Sequence, residues 1–182
     1  MGSRNTPRVT APLAHIVLVE PEIPNNTGNI GRTCVAMACA LHLVHPLGFD
    51  TDEKACRRAG LDYWPRLDLT EHADFRGYDL ARPPGTRAWY FSARATRSFL
   101  DTPFTRGDHL VFGRESVGLD DHILDAHPDR CVSLPMTPGE RSLNLSTAVG
   151  AAITTVIHIL RARGERILRP DGTLDTNRTR SQ

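Results

Sequence analysis

A chain of 182 residues, 40% hydrophobic and 24% charged, holds enough apolar material for one full core and is short for two domains. A net charge of +1 gives no whole-molecule attraction to nucleic acid, and no apolar run is expected to reach the roughly 20 residues that cross a bilayer. Residues 1–14 lack the apolar stretch of a secretory signal and read as a flexible arm.

The predicted elements alternate along the chain. A strand over 15–20 leads to a helix over 27–40, which Asn25 or Asn26 can cap. A strand over 41–45 precedes a short helix over 52–59. Asp52 and Glu53 suit the start of that helix, and Gly60 suits the position after its end. A weaker strand near 66–69, a helical turn near 73–78 and a Pro-Pro-Gly loop over 81–86 come next. Strands over 87–92 and 109–112, a helix over 119–126, a strand over 131–134 and a long helix over 144–163 complete the pattern. Residues 164–182 are polar and are expected to form a disordered tail. Strands alternating with helices predict one α/β domain over 15–163, with a mainly parallel sheet and helices on both faces.

Cys34, Cys39, Cys56 and Cys131 form no C-x-x-C pair, so buried, reduced thiols in a cytoplasmic protein are expected. His42 and His45 share one strand. A metal site needs three or four converging ligands, and no second cluster stands out in the sequence, so these read as structural histidines and no metal is expected. Lys54 is the only lysine, and the other basic residues are arginines.

Three polar segments each follow a predicted strand. After 15–20 comes Asn25-Asn26-Thr27-Gly28-Asn29-Ile30-Gly31-Arg32. After 109–112 comes Gly113-Arg114-Glu115-Ser116-Val117-Gly118-Leu119. After 131–134 come Pro135-Met136 and then Ser142-Leu143-Asn144-Leu145-Ser146, which opens the last helix. Loops at the ends of parallel strands are where α/β sheets bind ligands. The order N-x-G-N-x-x-R, F-G-x-E-x-x-G-L, S-L-N-L-S resembles the SpoU-type branch of the SPOUT RNA methyltransferases over residues 15 to 162. The stretch from Val19 to Asn29 and Arg58-Ala59-Gly60-Leu61-Asp62-Tyr63 resemble its small members, the tRNA wobble-position 2′-O-methyltransferases.

That resemblance implies a deep trefoil knot in the C-terminal half, with S-adenosyl-L-methionine bound in it. It implies cofactor contacts at Gly113, Leu134 and Ser142, with Met136 and Asn144 nearby and Phe91 at the end of the preceding strand. It implies that Arg32 acts in catalysis and that Asn29 orients Arg32 or the ribose. Glu115 would hold a hydroxyl or help place Arg32 or substrate. The family proposal makes the arginine a base. A guanidinium does not give up its proton near neutrality, so fixing a phosphate and stabilising developing alkoxide charge is the role expected here. The implied partners are a tRNA anticodon stem-loop and a second copy of the chain. The second copy would dock through the last helix, where Leu145, Val149, Ile153, Val156, Ile157 and Leu160 recur at helical spacing beside Gly150, Ala151 and Ala152.

Rival readings fit less well. Gly28 to Gly31 has the wrong spacing for a dinucleotide fingerprint, Ser116 is one residue late for a nucleophile elbow, and Lys54 has no P-loop glycines before it. Methylation of another tRNA or rRNA position, or a non-catalytic RNA-binding module, remain the alternatives.

Overall fold

The computed structural model describes residues 11–49 and 62–175. The helix expected over 52–59, with its caps and Cys56, lies outside the described residues. Six strands form one sheet: β1 (His15–Val19), β2 (Ala40–Val44), β3 (Leu69–His72), β4 (Ala88–Phe91), β5 (His109–Phe112) and β6 (Cys131–Val132). All neighbours pair in parallel, in the order β3-β2-β1-β5-β4-β6. The helices among the described residues are α1 (Pro24–Ala36), α2 (Phe75–Ala81), α3 (Asp121–Ala126) and α4 (Leu145–Ala162).

The two-residue period of the strands sends side chains to both faces, and both are covered. Ile16, Leu18, Leu41, Leu43, Leu110 and Phe112 pack with Ile30 and Cys34 of α1 and Val149 and Ile153 of α4. Val17, Val19, Val44, Tyr90 and Val111 pack with Tyr78 of α2 and Ile123 of α3. Burial on both sides is why these strands read as unbroken apolar runs rather than alternating ones. The second face also carries histidines. Burial pushes the ring of His42 down to about 2 and that of His109 to about 3, so both are neutral.

Several expectations need correction. α1 starts at Pro24, whose fixed φ suits the first helical position, so Asn25 and Asn26 lie inside the helix and do not cap it. The third strand falls at Leu69–His72 because Trp64–Arg66 turns as a 3-10 helix. The arm and tail are less free than expected. Leu13 and Ala14 are buried, and Leu13 N–H donates to the Ala38 carbonyl at 2.9 Å. Ile167 is 2% exposed, and Leu168 bridges to Leu174.

The 18 residues of α4 are long and apolar enough to cross a membrane by length and composition alone, contrary to expectation. One stripe of the helix (Leu145, Val149, Ala152, Ile153, Val156, Leu160) is spent on this protein's own core. Of the six residues expected to face a second copy, only Ile157 is not fully buried there.

Candidate active site

β1 and β5 lie side by side, and the chain leaves them toward opposite edges of the sheet. Their C-terminal ends therefore form a topological switch point, the place where open α/β sheets take ligands. The two loops that start there interlock. The carboxylate of Glu115 accepts from the backbone N–H groups of Glu22 (2.9 Å) and Ile23 (3.3 Å) and from Asn26 Nδ2 (3.0 Å). In return, the N–H and hydroxyl of Ser116 donate to Glu22 at 2.9 and 2.8 Å, which holds the Glu22 carboxyl below its usual range. Arg114 pairs with Glu20 at 3.0 Å and with Asp120.

This lacing explains two motif residues. Ile23, at the N-cap of α1, has no side-chain acceptor to offer, and Glu115 supplies one from the other loop. Gly113 is required by its own loop. A Cβ there would strike the backbone of Gly118 and Leu119, because the chain folds back through Gly118 at φ +78 and Arg114 N–H donates to the Gly118 carbonyl.

The third segment joins through Asn144. Its Oδ1 accepts from the N–H groups of Ser146 (3.0 Å) and Thr147 (3.3 Å), capping α4, while its Nδ2 donates to Asn26 Oδ1 at 3.0 Å. Capping and site support are thus two ends of one amide. Asn26, 6% exposed, links Glu115 to Asn144 and so ties all three segments into one network. Sequence reasoning passed over Asn26 as a site residue, although it is the first asparagine of N-x-G-N-x-x-R.

Beside the network lies a cleft of about 370 Å³, the size of a small-molecule site. Phe91 and Phe112, stacked at 4.3 Å, line it together with Leu134 and Leu145. Gly113, Met136, Ser142 and Asn144 line it too, so all six residues expected to contact the cofactor share one cavity. Arg94, paired with Asp121, and Arg141 also line it. Apolar walls with a few polar groups suit a nucleoside that carries a charged tail, so the residues present fit S-adenosyl-L-methionine.

Arg32 and Asn29 sit elsewhere. Both are exposed on α1 and are not among the residues lining the cleft. The Arg32 guanidinium lies 4.6 Å above the Tyr63 ring, with Nη2 3.7 Å from Asp62 Oδ1. The Tyr63 hydroxyl donates to the Gly28 carbonyl within α1. Asp62 and Tyr63 thus hold a solvent-facing arginine in place, a role their sequence position did not reveal.

The parallel sheet with its cleft at the switch point makes this an α/β protein built to hold a small ligand at its strand ends. The SpoU rRNA Methylase family matches residues 14–154, and the chain belongs to that family. A tRNA (cytidine(34)-2′-O)-methyltransferase of Polaromonas sp. is 45% identical over 141 residues, 76% of this chain and 86% of the relative. The enzyme of that name from Escherichia coli K12 is 42% identical over 142 residues, 78% of this chain and 90% of the relative. A solved structure described as giving insights into 2-OH methylation of C/U34 on tRNA superposes with a TM-score of 0.76 at 43% identity, covering 82% of this chain and 97% of that one. The AdoMet-bound SpoU methyltransferase AviRb of Streptomyces viridochromogenes shares the fold, with a TM-score of 0.70 at 21% identity over 91% of this chain and 64% of that one. The protein is a methyltransferase.

Proposed function

We propose that this protein transfers a methyl group from S-adenosyl-L-methionine to the ribose 2′-hydroxyl of the wobble nucleotide, position 34, of tRNA. The observation that carries the reading is the convergence of three sequence-distant segments on one cleft, in a chain whose relatives bear that activity in their names. The cofactor would supply a methyl group activated by a sulfonium. Phe91, Leu134 and Met136 would enclose its apolar parts, and Ser142 and Asn144 would meet its polar edges. Glu115 acts by fixing the start of α1. Asn29 and Arg32, one helical turn apart, would position the ribose and its phosphate. A fixed guanidinium there stabilises charge that develops as the hydroxyl loses its proton.

Because Arg32 is outside the walls of its own cleft, we infer that it serves a partner's cleft in a homodimer. Thr147, Ala151, Thr154 and His158 form an exposed stripe on α4 opposite the core stripe. The hydroxyls of Thr154 and Thr155 donate to the carbonyls of Gly150 and Ala151, so they need no partner from outside. Such a face suits close helix packing. Family membership supports a trefoil knot in the C-terminal half, and the free thiols of Cys34, Cys39 and Cys131 support a cytoplasmic setting. The test is incubation of the purified protein with labelled S-adenosyl-L-methionine and tRNA. Label in tRNA as 2′-O-methylated nucleotide supports the reading. Cofactor binding without transfer to any RNA would favour a non-catalytic module.

A further inference from the structure

Three histidines from neighbouring strands meet at the end of the sheet opposite the cleft. His15 opens β1, His109 opens β5 as its register partner, and His42 lies on β2. We propose that His15, His42 and His109 form a binding site for a divalent transition ion of the zinc, copper or nickel class. One nitrogen from each ring lies within 4.8 Å of the other two, and His15 Nδ1 is 2.9 Å from His42 Nε2.

The outer nitrogens of two of these rings are held as well. His42 Nδ1 is 3.0 Å from His72 Nε2, and His109 Nδ1 is 2.9 Å from the Tyr78 hydroxyl. Metal-binding imidazoles have their second nitrogen held in this way, which fixes the tautomer and the ring direction. Here it leaves Nε2 of His42 and Nε2 of His109 as the inner atoms. His109 is 2% exposed, and its Nε2 is buried with no hydrogen-bond partner. A polar atom left so is costly, and a ligand bond would satisfy it.

The donors are three imidazoles, which select zinc, copper or nickel over magnesium or calcium. Three protein ligands leave the fourth position of a tetrahedral ion to water. His15 and His42 are only half-buried, which gives the ion a way in. The His15 and His109 rings lie parallel at 4.3 Å, so one must turn to share an ion. The proton between His15 Nδ1 and His42 Nε2 then moves to an outer nitrogen of the pair, since both lone pairs face the metal. His45 takes no part, because it pairs with Glu71 at 2.9 Å. The sequence showed two histidines on one strand, and register brings the other two ligands. An ion here would pin β1, β2 and β5 together, away from the methyl-transfer cleft, so its effect is on stability.

The test uses the untagged full chain, stripped with chelator and titrated with Zn²⁺, Co²⁺ and Cu²⁺. One ion should bind per chain. Co²⁺ should give the visible bands of a four-coordinate site, and Cu²⁺ should show nitrogen hyperfine splitting. Zinc should raise the melting temperature. His15→Asn and His109→Phe should each weaken binding by about tenfold or more and abolish that rise, whereas His122→Ala, at an exposed position on α3, should behave as wild type. Should the variants misfold, the wild-type spectra decide. No stoichiometric binding, spectra without nitrogen ligands, or affinity unchanged in folded His15→Asn and His109→Phe would each overturn the proposal.

Discussion

Arg32 and Gly113 show how residue roles divide at this site. Arg32 is held by Tyr63 and Asp62 on the exposed face of α1, and the residues expected to meet cofactor line a separate cleft. Arg32→Ala is therefore expected to cut methyl transfer by about 10²–10³-fold while calorimetric affinity for S-adenosyl-L-methionine stays near wild type. A parallel loss of affinity would show that Arg32 supports the cleft itself. For Gly113, the resemblance implies a cofactor contact, on which a side chain would intrude. The structure moves the conflict to the backbone of Gly118 and Leu119. Gly113→Ala should thus lower the apo protein's stability by about 1–3 kcal/mol, seen as an earlier thermal transition before any ligand is added. An unchanged transition with weakened binding would restore the intrusion reading. That the six positions expected to meet cofactor would converge on one cleft was legible, because motif residues at strand ends must share the rim of a parallel sheet. The bridging role of Asn26 was not legible, since it depends on two partners 89 and 118 positions away.

At the scale of elements, α1 is anchored by a cap from another loop. Glu115→Ala removes acceptors from Glu22 N–H, Ile23 N–H and Asn26 Nδ2 together. A stability loss of about 1–2 kcal/mol is expected, the upper range for a lost cap. Methyl transfer should fall along with it, because the helix that carries Asn29 and Arg32 loses its fixed start. Chemical denaturation and a methylation assay on the same preparation check both. Glu115→Ala with native stability and no activity would mean that the carboxylate acts on substrate directly. Element order and type were largely readable from apolar runs and punctuating glycines and prolines. Boundaries slipped where local chemistry was ambiguous: Pro24 started α1 early, and Trp64–Arg66 closed into a 3-10 turn just before β3. The long-range lacing of caps leaves no local trace, so Asn25 and Asn26 looked like the obvious caps.

The whole molecule raises the question of what covers the outer stripe of α4. Periodicity alone could not divide that helix, since its core face and its outer face are both rich in small or apolar residues. The structure assigns Ile153 to the core at 0% exposure, so a charge there would unfold the chain and not simply part a dimer. Ala151, exposed on the outer stripe, is the better probe. Ala151→Glu should give a folded monomer by light scattering, with activity reduced at least in step with dimer loss. A wild-type protein that is monomeric and active at micromolar concentration would remove the shared-site reading. The central claim, wobble-position ribose methylation, is tested most directly by mapping 2′-O-methyl groups in tRNA after incubation with the purified protein and S-adenosyl-L-methionine. A single new 2′-O-methyl group at nucleotide 34 is predicted, and its rate of formation should fall by about 10²–10³-fold with Arg32→Ala. Methylation confined to another position, or none in any tRNA offered, would contradict the account.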